Sequence, residues 1–387
     1  MTQFFKKLIF AREVNFLLLS IFLFALALGM NFVTFPSLLN ERGFETSRIG
    51  IFFACELMGG ILMLFILNKI VAYLNFFKTL RIASISYTAI ILIIFFCKNV
   101  YFWGFFVFLL GSLWVMYVIT RQAWFSTIVP KDRREIALGV LSMIISAGLA
   151  LGPVIVKFSG ATNYFSFVIS SALTLLSFYC LTSLKKLPQL KIESKKISLR
   201  KFFKSNPQIF VARFCLDFQT FLILTFSVIF GIKTGLTAEA SGLLITSFMA
   251  SFIFDVFAGF IIQKHNPYKS LKIGFIGCLA CFLSIAIFHN FYQILLVIYF
   301  IMGFFFALIY IGILVINNRN HAQEKLVSAN TTLQLIGSLG SICGSLIGGY
   351  LISFIGILGF PITISLSCIA YLSFLRIHEK KTNTTRS

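Results

Sequence analysis

Apolar residues do not alternate with polar ones along this chain. They come in long, nearly unbroken blocks separated by short polar punctuation. With approximate limits, the first six blocks are Val14–Leu38, Arg48–Leu67, Thr79–Cys97, Tyr101–Ser126, Ile136–Phe158 and Asn163–Leu184. The second six are Gln208–Ile232, Ala240–Ile262, Leu271–Phe288, Tyr292–Ile316, Ala329–Ile352 and Gly356–Arg376. Each block is close to the ~20 residues an α-helix needs to cross the hydrocarbon of a bilayer, so the pattern predicts twelve crossings. The short turns near Asn99 and Phe354 are the weakest boundaries, because a re-entrant bend would fit either as well as a reversal. Phe4–Arg12 is basic, but the block after it is too long for a signal-peptide h-region and lacks a small-residue cleavage site; no cleaved signal is expected.

Composition agrees with this pattern. Of 387 residues, 59% are hydrophobic and 12% charged, about half the charge density of ordinary soluble domains. The net charge of +21 would suit a nucleic-acid partner in a soluble protein, but the distribution of the charges removes that reading. With a cytoplasmic N-terminus, 28 of the 33 basic residues fall on the inner side; Arg42, Arg48, Lys98, Lys157 and Lys233 remain outside. Such a bias predicts an even number of spans, with both termini cytoplasmic, in a bacterial inner (plasma) membrane. No nucleic acid is expected, and the chain is expected to be a monomer.

The one long polar stretch, Leu184–Asn206, carries eight basic residues, one acid and a proline. It cannot stay in hydrocarbon, and as a cytoplasmic linker it would touch anionic lipid. It divides the chain into an N-terminal six-helix bundle over residues 1–184, a linker over 185–206, and a C-terminal six-helix bundle with a short tail over 207–387. All eight cysteines lie in apolar blocks. Cys278-x-x-Cys281 has metal or redox spacing but no His or acidic partner nearby, so the pair reads as small buried hydrophobes. No metal and no cofactor is expected.

The two halves repeat each other. Gly43-Phe44 followed by Gly50 returns as Gly235-Leu236 followed by Gly242, 192 residues later. At the same offset Gly111 returns as Gly303, Asp132-Arg133 as Glu324-Lys325, Ala137 as Ala329, and Gly148 and Gly152 as Gly340 and Gly344. Lys78–Ile82 matches Lys269–Ile273 at an offset of 191. Six spans per copy start both copies on the same side of the membrane, so the repeats are parallel, as expected for rocker-type secondary transporters.

On these features the chain resembles the major facilitator superfamily over essentially its full length. The resemblance implies an all-α polytopic membrane protein of twelve transmembrane helices, built as two parallel six-helix repeats. The most specific residues are in the fifth block: Gly139, Gly148 and Gly152-Pro153 are spaced like the antiporter motif of the superfamily's drug–proton exporters. The motif's usual closing Gly-Gly is replaced by Val156-Lys157, while the second half has Gly340, Gly344, Gly348 and Gly349. Small residues every fourth position bring helix backbones together in lipid, and Pro153 frees a carbonyl one turn earlier. Plain close packing would use the same residues. A second motif is eroded. Where the superfamily usually has Gly-x-x-x-Asp-Arg, this chain has Leu64-x-x-x-Asn68-Lys69 and Gly259-x-x-x-Gln263-Lys264. The cytoplasmic latch then rests on neutral hydrogen bonds instead of charge-assisted ones. Pro130–Arg134 looks like the family's short basic connector between helices four and five.

Ionisable groups inside spans are costly and mark function by default. Four stand out: Glu56, Arg121, Asp217 and Asp255. In the architecture the resemblance implies, helices one, four, seven and ten line a central cavity, so Arg121 and Asp217 would come from opposite halves and could form an intracellular gate. Arg213, one turn before Asp217, offers a local partner instead. Glu56, without a base nearby in sequence, would carry a coupling proton or else be held by hydrogen bonds at a helix interface. Asp255 reads as bonded to a neighbouring helix terminus. Substrate contacts are expected among Asn31, Thr34, Trp114, Tyr117, Thr120, Gln219, Thr220 and Tyr310; aromatic walls with a few hydrogen-bonding groups suit a small amphipathic organic solute.

Rival classes lack their signatures. An enzyme would need a cluster of acids, His or nucleophiles; the twelve acids and four His are scattered. ATP-driven transport would need a phosphate-binding loop. A non-transporting receptor or scaffold has no use for charges within spans. The sequence therefore points to a secondary transporter working by alternating access, with proton-coupled efflux ahead of uptake of a small metabolite.

Overall fold

The computed structural model describes residues 12–74, 76–128, 134–182, 199–255, 261–262, 266–320 and 323–384. Among the described residues all regular structure is helical. The first half contains α1 (Arg12–Glu41), α2 (Thr46–Leu74), α3 (Phe76–Phe96), α4 (Val100–Ile128), α5 (Arg134–Ser159) and α6 (Tyr164–Thr182). A seven-residue helix, Leu199–Ser205, precedes α7 (Pro207–Lys233). Then follow α8 (Ala238–Ala250), α9 (Pro267–Phe288), α10 (Tyr292–Asn320), α11 (Gln323–Ile355) and α12 (Gly359–Thr384).

Eleven of these helices are long and apolar enough to cross a membrane; α8, with 13 residues, is shorter. It runs into a 3-10 turn, Ser251–Phe254, so the expected eighth block starts as an α-helix and tightens before Asp255. Residues 256–260 and 263–265 lie outside the described residues, and with them Gly259, Gln263 and Lys264. So do the connector at 129–133, most of the basic linker (183–198) and the Asn68 side chain.

Local chemistry sets the ends. Proline occupies the first turn of α7 and of α9, where its missing N–H costs nothing. Thr237 accepts from the Ala240 N–H at 3.2 Å, capping α8. The turn near Asn99 is a tight reversal. Arg42 donates to the carbonyls of Phe95 and Cys97 (2.5 Å to the latter), and the Trp103 indole donates to the same Cys97 carbonyl at 2.8 Å. Partial burial lowers the Arg42 pKa from its ordinary value, opposed by Cys97 and Glu41. Near Phe354 the chain likewise reverses in a few residues, through Gly356 at φ 84°.

The described chain divides into two compact units, residues 1–42 with 55–192 and residues 43–54 with 193–387. Each packs its helices by the same scheme. In the first, α1 touches α5 and α6, and α3 touches α4 and α6; in the second, α7 touches α11 and α12, and α9 touches α10 and α12.

The correspondence extends to single backbone contacts. Gly111 of α4 lies against the backbone of Glu56, and Gly303 of α10 lies against the carbonyl of Phe248. Gly148 meets the Phe22 carbonyl and Gly340 that of Phe214; Gly152 meets the Leu26 carbonyl and Gly344 that of Phe218. In all three cases both partners are displaced by 192 residues. At each site a Cβ would collide with backbone. Gly43 and Gly235, again 192 apart, hold left-handed φ values of 79° and 92°, which L side chains rarely adopt.

α6 turns its polar side inward. Ser166, Ser170, Ser171, Thr174 and Ser177 are buried, whereas Phe165, Leu175, Leu176 and Tyr179 are exposed. Several of the buried hydroxyls meet α1 and α3: Ser170 donates to Asn31 Oδ1 at 2.8 Å, and Ser177 to the Ser20 carbonyl at 2.6 Å. This hydroxyl seam prepares the interior of the first unit for a charge.

Candidate functional site

In the first unit that charge is Arg121. It sits near the C-terminal end of α4 and is only 2% exposed. Its Nη1 donates to the Ser20 carbonyl at 3.0 Å and approaches the Ser20 and Ser177 hydroxyls at 3.4 Å each. Its Cζ stands 3.9 Å from the Tyr117 ring centroid and 4.6 Å from that of Phe24. The cation is therefore held between two aromatic faces, an arrangement worth about 0.5–2 kcal/mol. The Tyr117 hydroxyl and Ser177 Oγ lie 3.0 Å apart, closing the ring of hydroxyls. No carboxylate pairs with Arg121 among the described residues, and its Nε is buried without a hydrogen-bond partner. Leaving a charge without its counter-ion in a protein interior costs several kcal/mol.

The other candidates of this unit spread along the same helices. Asn31 of α1 is fully engaged, accepting from Ser170 and donating to the Tyr87 hydroxyl at 3.4 Å. Thr34 Oγ1, Trp114 Nε1 and Thr120 Oγ1 are buried without partners among the described residues. Glu56 is half-buried on α2, no basic side chain pairs with it among the described residues, and Tyr87 interacts with it electrostatically. Its backbone lies level with Gly111, ten residues before Arg121, or about 15 Å along α4 at 1.5 Å per residue. Glu56 and Arg121 thus mark two different depths.

In the second unit Arg213 and Asp217 form the i,i+4 pair, with Nε 2.5 Å from Oδ2. α11 covers the pair with Gly337, whose missing side chain leaves the space that Asp217 Oδ2 occupies; a Cβ there would also come within 3.0 Å of Arg213 Nε. Tyr310 of α10 places its ring centroid 5.6 Å from Arg213 Cζ and interacts electrostatically with Asp217 and Asp255. Asp255 follows the 3-10 turn, and its Oδ1 is buried without a partner among the described residues. Gln219 gives its amide N–H to Ser367 (2.7 Å) and Cys368 (3.2 Å), but its carbonyl oxygen has no partner among the described residues. The Thr220 hydroxyl is spent on the Leu216 carbonyl of its own helix, at 2.8 Å.

In α5, Gly148 and Gly152 press on the backbone of α1 and Pro153 follows within the same helix. The surroundings of Gly139 lie outside the described residues. Sequence reasoning passed over Ser20, Phe24, Tyr87, Ser170 and Ser177, which build the Arg121 seat and the Asn31 bridge. The signal available was the recurrence of Ser and Thr at 166, 170, 174 and 177, at helical spacing along an otherwise apolar block.

These two polar interiors sit on a repeated six-helix frame, and comparison with known proteins agrees with it. The profile of the Major Facilitator Superfamily matches residues 17–287 and 209–387. The chain belongs to the major facilitator superfamily. It is accordingly a multi-pass membrane transporter. Among solved structures, it is similar to the nucleoside transporter NupG, at 13% identity over 94% of this chain and 99% of that one, with a TM-score of 0.75. It is similar too to a bacterial homologue of the human lysosomal transporter Spinster in an inward-facing, unoccupied conformation. That match has 12% identity, covers 94% of each chain and has a TM-score of 0.72. A POT family transporter in complex with a thioalcohol-conjugated peptide matches at 11% identity over 96% of each chain, with a TM-score of 0.77. At these identities the likeness concerns the fold alone. No curated relative matches the sequence.

Proposed function

We propose that this facilitator exports a small amphipathic organic solute across the bacterial inner membrane, by alternating access and in exchange for protons. Both termini are then cytoplasmic. The observation that carries the reading is Glu56, a carboxyl within a span that no basic side chain among the described residues neutralises. Such a group changes charge only by taking or releasing a proton, and this gives a transmembrane proton gradient a means of driving the cycle. The Gly148–Gly152–Pro153 run seated on α1, like the antiporter motif it resembles, supports export over import.

The test has two stages. Metabolites in cells and medium are compared with and without the gene. The solute that accumulates inside the deletion strain is then followed in proteoliposomes under an imposed pH gradient. Gradient-driven flux should disappear in Glu56→Gln while solute–solute exchange persists. Proton dependence identical to that of the unaltered protein would sink the role of Glu56.

A further inference from the structure

Of the polar groups left without partners among the described residues of the first unit, two can only donate. They are the Arg121 Nε–H and the Trp114 indole N–H, both buried on α4. Residues 114, 117 and 121 fall on one face of that helix, which brings the indole, the Tyr117 ring and the guanidinium into one column. Arg121 and Trp114 are about 10 Å apart along the axis. What these two donors lack is an acceptor within reach among the described residues. Ser20 meets one side of the guanidinium with a neutral carbonyl at 3.0 Å, Phe24 and Tyr117 cover its faces, and no carboxylate neutralises it among the described residues. A serine cage can orient a cation but cannot cancel its charge.

We infer that α4 of the first unit is the seat of an organic anion, whose carboxylate is taken by Arg121 and whose apolar body lies along Tyr117 toward Trp114. The inference rests on the transporter reading and narrows it, from an amphipathic solute in general to an amphipathic organic acid. Both donors are shielded in this structure, so the seat opens at another stage of the cycle. A guanidinium suits the role because its planar fork offers a carboxylate two parallel hydrogen bonds. Its aromatic neighbours tolerate the apolar remainder of the ligand and leave the headgroup to set the preference.

The experiment uses the full-length protein in detergent and three probes that share a phenyl body: phenylacetate, 2-phenylethanol and phenethylammonium. Binding is read from quenching of tryptophan fluorescence and from the shift in melting temperature. Phenylacetate is expected to bind about tenfold or more tighter than the alcohol, the ratio a charge-assisted hydrogen bond supplies, with the amine weakest. Arg121→Gln should bring acid and alcohol level, and Arg121→Lys should keep part of the preference. Trp114→Phe changes only the wall against the shared phenyl body and should weaken acid and alcohol alike. Arg121→Lys, which keeps the charge, covers the case in which Arg121→Gln fails to fold, and an Arg121→Lys protein whose acid preference is undiminished overturns the assignment to the guanidinium fork. An unaltered protein that prefers the amine or the alcohol, or binds none of the three, overturns the proposal; so does an Arg121→Gln protein that keeps the preference. Because binding is read without flux, a failed export assay counts against the efflux reading alone.

Discussion

Arg213 and Asp217 pair at 2.5 Å one helical turn apart on α7, and Asp217 Oδ2 occupies the place that a side chain on Gly337 of α11 would take. A charge pair inside a span is in this way tied to a single glycine on another helix. Gly337→Ala should force the carboxylate aside and lower the melting temperature, although it removes no charge. Asp217→Asn and Arg213→Gln should each cost about 3–5 kcal/mol, because each strands its partner. The double substitution should cost less than the two single losses added together. Additive losses in thermal unfolding of the purified protein would show that the two groups act independently.

The duplicated glycine contacts predict duplicated sensitivities. Gly148→Leu and Gly340→Leu push a side chain into the Phe22 and Phe214 backbones respectively. Each should lower stability by roughly 1–3 kcal/mol or more, as overpacking does. Similar drops in melting temperature are expected for the two. A large drop for one and none for the other would mean that the second contact bears no load.

Arg121 leans on Ser177 and Ser20 unequally. Ser177 Oγ serves the Ser20 carbonyl, the Tyr117 hydroxyl and the guanidinium together, whereas the contact of Ser20 with Arg121 is chiefly through its backbone carbonyl. Ser177→Ala should therefore cost about 1–2 kcal/mol and Ser20→Ala less. Denaturation in mixed micelles measures the order, and the reverse order would refute this account of the cage.

Cysteine labelling checks the orientation. Cys97 follows the end of α3, in the turn clasped by Arg42 and Trp103, and the charge bias predicts that this turn lies outside. In intact spheroplasts a membrane-impermeant maleimide should label Cys97, and Cys97→Ser should abolish that signal. Labelling of Cys97 only after lysis would invert the assigned topology.

The frame was largely legible because lipid imposes a length rule on each apolar block and because glycine marks places where backbones meet. Gly111 with Gly303 and Gly148 with Gly340 could be aligned without coordinates, and each proved to touch the equivalent backbone in its own unit. Within the eighth block the tightening into a 3-10 turn at Ser251 was not legible, since hydropathy does not register helix type. The site was legible only in its charges. Arg121 and Asp217 stood out against hydrocarbon, but their surroundings did not: Phe24 is one phenylalanine among 49, and Ser177 is a small residue that any helix interface could hold. The repeat gave no help either, because at the offset of 192 Arg121 faces Ile313 and Glu56 faces Phe248. The copies agree where backbones touch and part where charge is handled.

The inward-facing hydroxyls of α6 bear on how the protein is made. The segment is apolar enough to leave the translocon for lipid, yet its serine face reaches Ser20 and Asn31 of α1 and the Ser84 and Thr88 region of α3 only once those helices are present. α6 is therefore a span that suits lipid by its composition but finds partners for its hydroxyls only beside α1 and α3, so the polar packing of the first half is completed by its last helix.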